Sequence, residues 1–262
     1  MTAHDLHLLA AIPAALVGLA VGSFGGVLAD RVPRGDSIVH PPSHCDSCDA
    51  PLRGLDNVPV VSYLVLQGRC RSCGATIPPR DLILELVTAA LFALLAWRVP
   101  SFWALPAYCV FAAGLVSLSA IDIKLHRLPT AIVYWTAGLG GVLLGVASAA
   151  TGDWDRLLQG LIAGAACFAV FFAIYFAVPK GMGFGDVRLA GLCGAFLGWL
   201  GLRTVPIGLL AAFVIAGAPA IVLLVLGKVN RKTQLPFGPF LAAGALIGVA
   251  FGAPILHAFP VF

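Results

Sequence analysis

Charge is scarce in this chain. Only 11% of its 262 residues are Asp, Glu, Lys or Arg, against about a quarter in an ordinary soluble domain. Set beside 60% hydrophobic residues, that scarcity excludes a water-soluble globule. Lys and Arg are also missing from residues 1–5, ahead of an apolar run that continues to about Leu28. This excludes an ordinary cleaved signal and predicts a membrane span. Neither H-E-x-x-H nor G-x-S-x-G occurs, which removes those catalytic-metal and serine-elbow chemistries. No strand followed by G-x-G-x-x-G marks a Rossmann nucleotide site.

What the chain has in quantity is apolar length. Stretches at about 6–28, 82–97, 102–121, 130–150, 157–178, 187–202, 205–226 and 238–257 predict about eight transmembrane helices, at about 20 residues per crossing. The expected fold class is an all-α integral membrane protein. Its thirty glycines and eighteen prolines suit that class, because both are commoner in transmembrane helices than in soluble ones. When the loops are alternated, thirteen of the sixteen Lys and Arg residues fall on one side. They lie within 30–81, at Lys124 and Arg127, at Lys180 and Arg188, and at Lys228, Arg231 and Lys232. Only Arg98, Arg156 and Arg203 lie opposite. Cationic flanks are retained in the cytosol, so both termini are expected outside the cytoplasmic (inner) membrane and the long 30–81 segment inside. The expected organisation is a first transmembrane helix over 1–29, a cytosolic insert over 30–81 and a seven-helix membrane domain over 82–262. Lys228, Arg231 and Lys232 read as inside anchoring against membrane lipids.

Within the insert stand Cys45-Asp46-Ser47-Cys48 and Cys70-Arg71-Ser72-Cys73, two C-x2-C knuckles separated by 21 residues. Four thiolates from two tight turns satisfy tetrahedral Zn²⁺ and leave no open position for catalysis, so Cys45, Cys48, Cys70 and Cys73 are expected to hold a structural zinc ion. Two disulfides are the rival reading, which a cytosolic address disfavours. His44 abuts the first knuckle and reads as an exposed loop residue, since four sulfurs fill the shell. Zinc ribbons often bind nucleic acid, but 30–81 carries six Arg and six Asp, and no basic footprint is present. Cys109, Cys167 and Cys193 sit singly in apolar helices and read as inert buried thiols.

Two acids stand out. Asp122 closes the third apolar stretch and Asp186 opens the sixth, where acidic side chains are expensive. The two intervening spans return the chain to its starting side, so both are expected at the cytosolic face, where they could meet. Two carboxyls in a poorly solvated cleft would share one proton, leaving a base and an acid side by side. Such a pair can activate water against a peptide carbonyl without a covalent intermediate. A proton or ion relay and a structural hydrogen bond between helices are the rival readings; the first would make the chain a proton-coupled transporter. Gly181, Gly183 and Gly185 fit a loop where backbone approaches a substrate strand closely. Glu85 is a weaker candidate, expected to pair with a neighbour such as Arg80.

These residues carry a resemblance. The chain resembles the type IV prepilin peptidases, or leader peptidases, across nearly its whole length. The matching segments are Gly22-Ser23-Phe24, Asp30-Arg31-Val32-Pro33, the insert from Pro42 through the two knuckles, and Ala120-Ile121-Asp122 with Leu128-Pro129. Met182-Gly183-Phe184-Gly185-Asp186-Val187-Arg188-Leu189 and Leu235-Pro236-Phe237-Gly238-Pro239-Phe240 complete the set.

The resemblance implies a polytopic aspartic protease that trims the short basic leader of prepilins or pseudopilins at the cytosolic membrane surface, cutting after a glycine. It places the catalytic aspartates on Asp122 and Asp186 and the zinc ligands on the four insert cysteines. Gly183, Gly185, Pro236 and Gly238 become substrate-loop candidates, with 82–262 as the peptidase part. It further implies methylation of the new N-terminal amine by S-adenosylmethionine, an activity associated with the insert; a preflagellin-type peptidase without that step is the related alternative. The chain departs from the family pattern where an Asn is usual after Gly22-Ser23-Phe24, where Thr130 replaces an Asp, and where Arg188 replaces a Lys.

Overall fold

The computed structural model describes residues 3–45, 47–178, 182–225 and 236–258. Among them the regular structure is helical, and the chain divides into two compact units, Met1–Trp97 and Arg98–Phe262.

The first unit opens with α1, Ala3–Arg31. A single 3-10 turn, Val32–Arg34, follows and ends at Gly35, whose φ of 76° is one that glycine adopts without steric cost. The insert holds a second 3-10 turn, Gly54–Asn57, and the short α2, Val61–Val65. The chain then enters α3, Arg80–Arg98. Gly18, Gly22 and Gly26 let α1 lie directly on α3. A Cβ at Gly22 would stand 2.6 Å from the Cα of Glu85, and one at Gly18 would stand 2.7 Å from the Cα of Ala89. Small residues at four-residue steps allow such backbone contact, which drives helix association where lipid removes the hydrophobic incentive. This contact groups α3 with α1 and the insert. Gly22→Leu would force two backbones apart. Overpacking of this kind costs about 3 kcal/mol, so the unfolding midpoint should fall by roughly 6–12 °C in a thermal scan of the purified protein, and Gly22→Ala should lower it less.

The second unit contains α4 (Leu105–Leu125), α5 (Thr130–Thr151), α6 (Trp154–Ala177), α7 (Phe184–Leu200), α8 (Thr204–Val225) and α9 (Gly238–Ala258). The most extensive packing pairs are α6 with α7 and α8 with α9. Its core lies around α7, where Val187, Leu189, Ala190, Cys193, Phe196, Leu197 and Trp199 are buried. Phe196 stacks on Phe111 of α4 with centroids 4.2 Å apart, and the Tyr108 hydroxyl donates to the Phe196 carbonyl at 2.7 Å.

Four described segments are long and apolar enough to cross a membrane: Leu9–Arg34, α4, α5 and α6. The other expected spans fall short for separate reasons. Arg80, Asp81, Glu85 and Arg98 put four charges on α3. α7 has only 17 residues and is largely enclosed by its neighbours. Thr204–Ala218 and Gly238–Gly252 are apolar but short over their described parts.

Candidate active site and metal centre

Asp122 sits in the last turn of α4, 5% exposed. The helix ends three residues later, at Leu125. His126 takes a left-handed conformation, φ 51°, and its amide donates to the Asp122 carbonyl at 2.9 Å. The Asp122 carboxylate faces away from its own helix: its Oδ2 accepts the amide of Gly238, the first residue of α9, at 3.1 Å. A side chain at 238 has no room, since a Cβ there would lie 2.7 Å from that same oxygen.

Asp186 stands in the first turn of α7, and its Oδ2 accepts the amide of Gly183, the N-cap residue, at 3.1 Å. Carboxylates suit helix starts, where amides lack partners and the dipole favours negative charge. Each acid therefore accepts a glycine amide at a helix start, Asp186 that of its own α7 and Asp122 that of α9.

Leu128 brings the two together. A Cβ at Gly185 would meet Leu128 Cβ at 2.8 Å, and one at Gly238 would meet Leu128 Cδ2 at 3.1 Å. One side chain in the α4–α5 connection thus touches both glycine-bearing helix starts. Asp186 lies within electrostatic reach of Asp122, and His126, exposed at the end of α4, lies within reach of Asp122 as well.

Arg188 adds a clamp that sequence reasoning did not assign. It donates to Thr130 Oγ1 at the start of α5 and lies over the Phe184 ring, 4.4 Å from its centroid. Thr130 and Arg188, two of the positions at which the chain departs from the family pattern, are hydrogen-bonded to one another. Pro236 precedes α9 and is partly exposed, beside Phe237, which packs on Phe171 and Phe213. Gly181, Lys180, Lys228, Arg231 and Lys232 lie outside the described residues.

The first unit carries the cysteine centre. The ligand atoms of Cys45, Cys48, Cys70 and Cys73 all lie within 4.8 Å of one another. Cys45 Sγ and Cys73 Sγ are 3.9 Å apart, close to the edge of about 3.8 Å expected of a tetrahedron with metal–sulfur bonds near 2.3 Å. The two knuckles repeat one hydrogen-bond scheme. Cys45 N–H donates to Ala50 O and Asp49 N–H to Cys45 O, just as Cys70 N–H donates to Ala75 O and Gly74 N–H to Cys70 O. Backbone amides of Cys73 and then Ser72 hold the Cys70 thiol down to about 6. At Cys48 the Ala50 amide acts downward, but hydrogen bonding with Cys73 and burial outweigh it and the thiol is pushed up to about 12. A cluster with one readily formed thiolate and three neighbouring sulfurs can hold a metal ion.

Arg71 clasps Asp56 side-on, Nε at 3.1 Å and Nη2 at 2.7 Å from Oδ1. That hydrogen bond, with the Arg71 charge, holds the Asp56 carboxyl below its usual range. A lowered folded-state value means the pair supports the insert above the ordinary Asp range and stops doing so as pH falls through the lowered value. Arg71→Gln should therefore make the insert more protease-sensitive at neutral pH, with the difference from wild type shrinking as the pH falls below the ordinary Asp range in a limited-proteolysis series.

Glu85 is buried, 7% exposed, and accepts the Val60 amide at 2.8 Å. It fastens α3 to the residue that opens α2, where Val60 is held at φ 62°, a strained value for a β-branched residue. The expected Arg80–Glu85 pair is not formed: Arg80 Nη1 contacts Asp30 Oδ1 at 2.6 Å instead. Fifty positions separate those two residues, beyond what a helix-spacing argument reaches.

These features define a class: an all-helical membrane protein with two acids gathered at helix ends and a separate four-cysteine centre. Residues 16–99 match the bacterial peptidase A24 N-terminal domain, and residues 109–252 match the type IV leader peptidase family. The chain belongs to the type IV leader peptidase family. It is 30% identical to the prepilin leader peptidase/N-methyltransferase of Pseudomonas aeruginosa, over 94% of this chain and 92% of that one. It is 32% identical to the protein of the same name from Neisseria gonorrhoeae, over 93% and 92%, and 36% identical to that of Burkholderia pseudomallei, over 86% and 72%. No solved structure matches. Membership of an enzyme family sets aside the transporter reading.

Proposed function

We propose that this chain is a membrane aspartic endopeptidase that removes the leader of type IV prepilins or pseudopilins at the cytosolic membrane face. The observation that carries the reading is the convergence of Asp122 and Asp186 around Leu128, each held by a glycine amide. One carboxylate takes a proton from water while the other, protonated, hydrogen-bonds the scissile carbonyl and later protonates the leaving amine. Gly183, Gly185, Pro236 and Gly238 offer the backbone against which the substrate strand lies. The prepilin substrate class follows the names of the relatives. Eight spans, both termini outside the inner membrane and a cytosolic insert remain the proposed topology, supported by the distribution of Lys and Arg. Residues 82–262 act as the peptidase part in that scheme.

Zinc is the proposed occupant of the cysteine centre, where Cys45, Cys48, Cys70 and Cys73 fill its shell and give it a structural task. S-adenosylmethionine, when bound, supplies a methyl group to the amine that cleavage exposes. The first unit fits such a donor because it holds a buried guanidinium edge without a partner. The match to the bacterial N-terminal domain and the cysteine centre favour this two-activity reading over a preflagellin-type peptidase. Mass spectrometry of a prepilin-like precursor incubated with the purified protein tests both steps: loss of the leader in every sample, and a gain of one methyl group only where S-adenosylmethionine is added. An uncut precursor refutes the peptidase, and an unmethylated mature product refutes the second activity.

A further inference from the structure

Arg80 is the first residue of α3 and holds Asp30, near the end of α1, through Nη1 alone. Its Nε and Nη2 are buried and have no hydrogen-bond partner. These two atoms form the side-on edge of a guanidinium, the edge that matches a carboxylate with two parallel N–H···O bonds. Arg71, in the same unit, shows the edge in use: its Nε and Nη2 clasp the Asp56 carboxylate. A guanidinium stays charged at any accessible pH, and buried donors without acceptors are rare and costly. Local packing fixes the group in place, because α1 and α3 touch backbone to backbone at Gly18 and Gly22, and a Cβ at Gly26 would meet the Asp81 carboxylate at 2.9 Å.

We propose that the Nε/Nη2 edge of Arg80 binds an oxyanion, the carboxylate at the amino-acid end of the methyl donor. This rests on the methyl-transfer reading above, which requires a donor whose amino-acid end is a zwitterion. The Arg80 edge takes the carboxylate of that zwitterion, while Asp30, 2.6 Å from Nη1, holds the guanidinium from the other side. A phospholipid phosphate has the same oxyanion chemistry and is the competing source. The assignment concerns how the donor is held; no proton or methyl passes through Arg80.

The experiment uses the purified full chain in neutral detergent and two non-reactive probes. S-adenosylhomocysteine keeps the carboxylate, and S-adenosyl-3-thiopropylamine is the same molecule without it. Calorimetry on wild type should show the first binding about ten- to hundredfold tighter, the worth of a charged bidentate contact. In Arg80→Gln and Arg80→Lys the ratio should collapse to within about threefold, because Lys restores charge without the fork. Equal affinity of wild type for the two probes overturns the inference without reference to any variant, as does a ratio preserved in both variants. The lipid arm repeats the measurement in phosphatidylcholine and phosphatidylglycerol nanodiscs. Unchanged affinity supports the donor, while displacement of the probe by phosphatidylglycerol assigns the edge to lipid and overturns it. If neither probe binds and no methylated product forms, the methyl-transfer reading and this inference fall together. If methylated product forms but the carboxylate makes no difference, only this inference falls.

Discussion

Replacing Cys70 by Ser should strip the protein of its bound metal and loosen the insert around it. Among the four cysteines it is the most buried, and its thiol is the one that backbone amides hold ready as a thiolate. A hydroxyl offers zinc no comparable ligand at neutral pH, and three sulfurs leave the tetrahedron open. The insert has little else to hold it. Leu52, Leu55, Val61, Leu64 and Val65 are exposed in this structure, so the segment lacks an apolar core of its own. Metal binding is then much of its folding free energy, and structural zinc sites are worth on the order of 10 kcal/mol. Metal analysis should find about one zinc per wild-type chain and less than about a tenth of that in Cys70→Ser. Limited proteolysis should cut the variant within 30–81 first. Wild-type zinc content in the variant would refute the clamp.

Asp186→Asn should abolish precursor cleavage while leaving the protein in the membrane. The substitution is mild structurally, because the Asn side-chain oxygen can still accept the Gly183 amide that Asp186 holds at 3.1 Å. What it loses is the ability to exchange a proton. A general acid or base contributes about 10²–10⁴-fold to rate, and here one group of the pair must do each task in turn. Asp122→Asn carries the same expectation, with the Gly238 amide as the retained contact. Gel separation of precursor from mature product reads both variants against an unchanged level of membrane-inserted protein.

Much of this was legible from residue types and spacing. Two C-x2-C knuckles specify a four-sulfur cluster because each knuckle is a local turn, and the structure brings all four together. The acids were legible because an acidic residue at an apolar helix end has few structural excuses. What spacing could not supply was contact between distant segments. Leu128 looked like any loop apolar residue until it stood against Gly185 and Gly238. Thr130 and Arg188 read as two separate departures, and their bond required α5 and α7 to be adjacent. Glu85 was assigned to Arg80 on nearness along one helix, whereas its partner is the backbone of Val60. The close packing of α3 on α1 is a contact of the same kind: hydropathy reports which segments are apolar, but small residues decide which backbones meet.

Single-turnover cleavage of one prepilin-like precursor by wild type, Asp122→Asn, Asp186→Asn and the double variant asks most directly whether the two carboxyls act as one unit. Each single variant should be slower by about a thousandfold or more, and the double variant no slower than the worse single, since losing either member already disables a shared device. A single variant that cleaves within about tenfold of wild type, or a double variant whose loss is the product of the two single losses, would contradict it.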